Sequence, residues 1–207
     1  MLSRADPRAR PRDDPTRRLP PLAPSENRSQ GPAWHDAQVG EGELWVGVTG
    51  HRELARPDAV AAEIDAALDR LIGDGGRTVV VVSALAEGAD RLVAQRVLAR
   101  PGGRLVALLP FAPVDYVADF ADAASVQEFT DLLAAADEYE VITGSPSDDW
   151  TREAAYERAG HAMLDRCDVL VALWDGEKGR GRGGTAEMVF EANLIGRPVE
   201  VVAVERA

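Results

Sequence analysis

Residues 168–192, DVLVALWDGEKGRGRGGTAEMVFEA, hold the ingredients of an anion site in one continuous run. Asp168 opens an unbroken apolar stretch ending at Trp174, the pattern of a parallel strand covered on both faces. Gly179, Gly181, Gly183 and Gly184 then permit a tight turn into a helix starting at Thr185. The free N–H groups and positive dipole end of such a helix attract negative charge, and a phosphate is the natural occupant. Thr185 reads as the helix N-cap, which puts Glu187 at the second helical position, where a capping box does not account for it. Dipole stabilisation of roughly 0.3–1 kcal/mol is one account of a carboxylate there. The other is catalytic, because Glu187 lies off the apolar stripe of its helix and a carboxylate at that rim can stabilise an oxocarbenium-like sugar or activate water.

Residues at the ends of the earlier strands complete the candidate set. Gly50, His51 and Arg52 follow the first strand, and an arginine fork beside an imidazole suits phosphate oxygens, although a turn with two solvated side chains has the same sequence. Ser83 to Asp90, SALAEGAD, follows the second strand and supplies Ser83, Glu87, Gly88 and Asp90. Glu87 serves either a helix dipole or a ribose hydroxyl, and Asp90 either the loop amides or the ligand. The loop Pro110–Tyr116 follows the third strand. Asp175 and Gly176 leave the buried strand, with an Asx turn as the alternative to ligand contact. Arg180 and Arg182 sit among the glycines as a solvated tip or a cationic lid, Arg182 being taken with Gly183, Gly184 and Thr185 as a ligand contact. Tyr156 lies on a core stripe and reads as packing, and His161 as a surface histidine. His35, His51 and His161 lack ligand spacing, so no metal is expected, and no cofactor is called for.

These loops need strands and helices in strict alternation to bring them together. Apolar strands are expected at 44–49, 78–83, 104–109, 139–143, 168–174 and 198–204. Helical periodicity between them places Val60, Ile64, Ala67, Leu68 and Leu71 on one core face, Tyr156, Ala159, Gly160, Met163, Leu164 and Cys167 on another, and Met188, Val189, Ala192 and Ile195 on a third. The expected fold is therefore α/β, a doubly wound, mostly parallel, Rossmann-like sheet flanked by helices. Ligands of such sheets bind beyond the carboxyl ends of the strands, near the point where strand order reverses.

Residues 1–40 read differently: seven Arg, five acidic residues, many Pro and almost no clustered apolar residues predict a disordered tail, leaving 41–207 as one nucleotide-binding domain. The tail lacks the apolar core of a secretory signal, and its acids argue against a transit peptide, so a cytoplasmic protein without a membrane segment is expected. The whole chain carries a net charge of −12, and removing the tail leaves 16 basic residues (23 less 7) against 30 acidic ones (35 less 5). That balance argues against nucleic acid as a partner, which calls for a basic footprint. A lone cysteine, Cys167, excludes a disulfide framework and reads as a packing thiol.

The loop sequences T-G-H-R, S-A-L-A-E-G-A-D and W-D-G…G-G-T-A-E resemble the SLOG superfamily of Rossmann-like nucleotide-binding proteins, which includes the Lonely Guy phosphoribohydrolases and the DNA-processing protein A family. The likeness spans Leu44–Val204 in the same element order. Ser83–Asp90 is similar to the S-G-x-A-x-G-x-D loop of the DNA-processing proteins, and Gly183-Gly184-Thr185 to the G-G-x-G-T loop of the Lonely Guy enzymes. This chain departs from the Lonely Guy pattern in having Met188 where that pattern has Glu, and Gly-His-Arg in place of Ser-Gly-Gly-Gly. Asp165, Asp168, Ala172, Asp175, Gly176, Gly184, Thr185 and Ala192 also resemble the motif run of nucleoside 2-deoxyribosyltransferases. Together the resemblances imply a nucleotide-type small-molecule ligand, with phosphate on Gly183, Gly184 and Thr185, the ribose near Glu87 or Glu187, and hydrolysis or transfer at an N-glycosidic bond. A non-catalytic sensor acting through a partner or a homo-oligomer is the competing class, and a DNA-processing role is a third, disfavoured by acidity.

Overall fold

A computed structural model describes residues 42–142, 152–177 and 184–205. The expected tail, Arg180, Arg182, Gly183 and the end of the expected fourth strand lie outside the described residues.

Six strands, β1 (Glu43–Gly50), β2 (Thr78–Ser83), β3 (Arg104–Leu109), β4 (Glu138–Val141), β5 (Val169–Trp174) and β6 (Val199–Ala203), form one sheet in the order β4-β3-β2-β1-β5-β6. Every neighbouring pair is parallel. The helices are α1 (Pro57–Ile72), α2 (Ala89–Leu98), the single turn α3 (Pro113–Tyr116), α4 (Ala123–Ala135), α5 (Arg152–Arg166) and α6 (Thr185–Leu194). This is the expected Rossmann-like α/β architecture. The chain steps outward from β1 to β4, then returns to lay β5 on the other side of β1, so strand order reverses between β1 and β5.

Side-chain alternation along the strands builds two cores. Val46, Val79, Val81, Leu105, Ala107, Val171 and Leu173 share one cluster with residues of α1, α2 and α4, including Ile64, Leu68, Val93 and Phe129. Val80, Val82, Val106, Leu108, Leu170 and Ala172 share the other with Met163 and Leu164 of α5 and Met188 and Val189 of α6. A sheet covered on both faces accounts for the continuous apolar runs in its strands. Cys167 is buried in the second cluster, where burial pushes its thiol up to about 11.

β1 runs one residue beyond expectation at each end and β4 starts one residue earlier, and other boundaries also differ. Asp168 precedes β5 and pins it to β1: its carboxylate accepts the Trp45 N–H at 2.9 Å, and its own N–H donates to the Trp45 carbonyl at 2.7 Å. β6 is shorter by a residue at each end. Ile195, placed by periodicity on the core stripe of α6, lies past the end of that helix and is 56% exposed, close in sequence to the exposed Phe190 and Leu194. Helical spacing stops carrying information once the helix stops.

Candidate functional site

The carboxyl end of β1 is fixed by backbone packing before any side chain matters. A Cβ on Gly50 would run into Ala89 of α2 and Leu173 of β5, so glycine is required for close approach. His51 donates its N–H to the Leu173 carbonyl at 3.3 Å and accepts the Ala89 N–H, the first of α2, at 3.0 Å. Gly88 at φ +76° lies against the backbone of His51 and Arg52, where any Cβ would strike their carbonyls. A residue with a side chain meets both a left-handed backbone and a wall there.

With that backbone fixed, His51 reaches across the reversal point. Its Nε2 lies 3.1 Å from Asp175 Oδ1, with the two side chains only 11% and 16% exposed. The Asp175 N–H also points at Nε2, at 3.3 Å. A protonated Nε2 donates to the carboxylate and an unprotonated one accepts from the amide, so the protonation state of this nitrogen decides which bond is made. Asp175 Oδ1 also accepts the Glu177 N–H at 2.9 Å, which is the Asx turn, and Gly176 at φ +81° continues it.

The β2 loop is bound mainly to itself. Ser83 is fully buried; its hydroxyl donates to Asp90 Oδ2 at 3.1 Å and accepts the Leu85 N–H at 3.0 Å. Asp90 also accepts the Ala86 N–H at 3.4 Å. Burial raises the Asp90 carboxyl to about 6, against the lowering effect of Ser83, the loop amides and Arg52. Glu87 turns outward to accept the Ala121 N–H at 2.9 Å and the Ser125 hydroxyl, tying this loop to the start of α4. Burial would raise Glu87, and those hydrogen bonds, with Arg91 and Arg52 nearby, more than offset it and lower its pKa.

Arg52 leads to residues that the sequence reading passed over. Its guanidinium carbon stands 5.2 Å from the centre of the Tyr156 ring. Burial opposes its charge, but hydrogen bonding to Tyr156 and the proximity of Tyr116 and Asp119 outweigh it and raise its pKa. The Tyr156 hydroxyl donates to Asp119, which Arg152 also holds at 2.6 Å. Burial and the bond to Asp119 push Tyr156 up to about 12. Tyr116, fully buried, has a hydroxyl without a hydrogen-bond partner among the described residues, and burial pushes its pKa well up. Arg91, 1% exposed, is held by the Leu85 carbonyl, by Ser125 and by Glu128, beneath the Phe120 ring at 4.4 Å. One signal in the sequence marks Arg91 and Arg152: each stands in the first turn of a helix, where the dipole disfavours a cation unless it has other work.

At α6 the register differs from expectation by one residue. Gly184 is the N-cap, and its carbonyl accepts the N–H groups of Glu187 at 3.0 Å and Met188 at 3.1 Å. Thr185 is therefore the first helical residue, and Glu187 the third, where a glutamate is ordinarily found. The positional argument that singled out Glu187 lapses with this shift. Among the described residues no group of three His, Cys, Asp or Glu side chains could hold a metal ion. Nor among them is any helix long and apolar enough to cross a membrane.

No protein-family model matches this sequence, and no curated protein matches it. Among solved structures, the chain is similar to one of DNA processing protein A from Helicobacter pylori, reported for its single-stranded DNA binding mode. The match has a TM-score of 0.49 and 18% identity, and covers 76% of this chain and 64% of that one. That protein is described as binding single-stranded DNA, so the expectation that nucleic acid is an unlikely partner is withdrawn, and no partner of this chain follows from the likeness. Net charge, on which that expectation rested, does not report the local potential at any one part of the surface.

Proposed function

We propose that the domain binds an anionic, nucleotide-type ligand across the carboxyl ends of β1 and β5. The observation that carries this reading is the meeting of His51 and Asp175 at the reversal of strand order, with Arg52 following His51 in the chain. Side chains that converge at that point on a parallel sheet stand where its crevice opens. The N-terminus of the ten-residue α6, capped by Gly184, supplies a second attraction for phosphate. The reading favours a binding module over a glycosidic hydrolase or transferase, because helix position alone accounts for Glu187.

The test is isothermal titration of the full chain with the 5′-monophosphates of adenosine, guanosine, cytidine and uridine, with the corresponding nucleosides, and with a single-stranded DNA oligonucleotide. The expected result is saturable binding of at least one monophosphate, weakened at least tenfold by Arg52→Ala and unchanged by Arg70→Ala on the outer side of α1. Absence of saturable binding to every monophosphate overturns the reading. Tight binding confined to the oligonucleotide replaces it with a nucleic-acid one.

A further inference from the structure

Among the described residues Arg52 makes no ion pair, although carboxylates are plentiful in this chain and Asp119 is close by. Instead it meets an aromatic ring whose hydroxyl is committed elsewhere. The Tyr156 hydroxyl donates to Asp119, and Asp119 takes the Arg152 guanidinium at 2.6 Å, so the cation nearest the carboxylate is Arg152 rather than Arg52. Arg152 in turn lies over the Phe111 ring at 4.5 Å, and Tyr156 packs edge-on against Phe111 at 5.8 Å and 88°. Phe111 is 1% exposed and belongs to the core. An unbroken chain of contacts therefore runs from the core through Arg152, Asp119 and Tyr156 to Arg52.

We infer that Tyr156, anchored by Asp119, is a positioning residue that sets the Arg52 guanidinium for an anionic group of the ligand. This rests on the proposed function. A free arginine loses much rotamer freedom when it is ordered on a ligand, and an arginine already held over an aromatic ring, as Arg52 is over Tyr156, loses less. Because Arg152 satisfies Asp119, the Arg52 charge stays available to the incoming anion. Packing alone needs the Tyr156 ring but not its hydroxyl, and this separates a positioning role from a structural one.

The experiment compares the parent, Tyr156→Phe, Arg52→Ala and the double variant by isothermal titration, using the monophosphate the parent binds tightest of the four and its uncharged nucleoside. Tyr156→Phe keeps the ring and is expected to weaken the monophosphate at least fivefold, leave the nucleoside unchanged, and cause no further loss on top of Arg52→Ala. Equal monophosphate affinity in Tyr156→Phe and parent overturns the inference, as does an equal loss for the nucleoside. Asp119→Asn, which keeps the size of the anchor and removes its charge, reads the same relay where Tyr156→Phe is poorly folded. A parent that binds none of the four monophosphates overturns the proposed function and this inference together, whereas binding that Arg52→Ala weakens and Tyr156→Phe leaves unchanged overturns only the inference.

Discussion

His51 and Asp175, 124 residues apart in sequence, meet at 3.1 Å across the two strands where strand order reverses. β1 delivers the imidazole on a backbone locked by Gly50 and Gly88, and β5 delivers the carboxylate on an Asx turn. Each partner is thus oriented by its own strand end.

Asp90 makes stability depend on pH in a defined direction. Its folded pKa of about 6 lies above the ordinary carboxylate value, so the folded state holds this proton more tightly than the unfolded chain. The associated stability is fully present below about pH 4, the ordinary aspartate range, and is lost as pH rises through 6. Melting temperatures of parent and Asp90→Asn between pH 3.5 and 7 should therefore differ in slope, the parent losing ground to the variant across pH 4–6. Parallel curves would show that Asp90 ionises in the folded protein as freely as in the unfolded chain.

Gly184→Asp separates fold from site. An aspartate is a favoured N-cap, and φ −79° at Gly184 is a backbone angle open to any residue, so α6 gains roughly a few tenths of a kcal/mol of stability. The same carboxylate puts negative charge where a phosphate would approach. The chemical-denaturation midpoint should hold or rise while monophosphate affinity falls at least tenfold. A variant that binds as tightly as the parent removes the start of α6 from the site.

Glu187, as the third residue of α6, needs only the helix dipole to explain it. Parent protein incubated with the four monophosphates should release no free base by chromatography. Glu187→Gln should bind as the parent does and lose no more than about 1 kcal/mol of stability. Base release by the parent that falls about 100-fold or more in Glu187→Gln would restore the catalytic reading.

The fold was legible because sheet and helix periods are written in the apolar residues themselves. β2 and β3 have the expected limits, and Val60, Ile64, Met163 and Met188 are buried on the expected faces. Helix ends were less legible: whether Gly184 or Thr185 caps α6 depends on backbone angles that the letters G-G-T leave open, and that single step decided how Glu187 was read. Of the candidate site, the convergence of His51 and Asp175 was legible because each lies next to a strand end. Asp119 and Arg152 escaped because their role arises from tertiary contact, Asp119 at the end of a short turn after α3 and Arg152 at the start of α5. Tyr156 was half legible: its ring is on the core stripe as periodicity requires, while its hydroxyl reaches the polar relay.

The most direct test of the central claim locates the ligand. Backbone amide resonances of isotopically labelled full-length protein, followed while the tightest-binding monophosphate is added, report which strand ends it touches. Binding across the reversal point predicts that the largest shifts fall on His51, Arg52, Asp175, Gly176 and Thr185, with the opposite ends of the strands, at Leu44, Val79 and Leu105, unmoved. Saturable shifts confined to those opposite ends, or to the outer surfaces of α1 and α4, would contradict it.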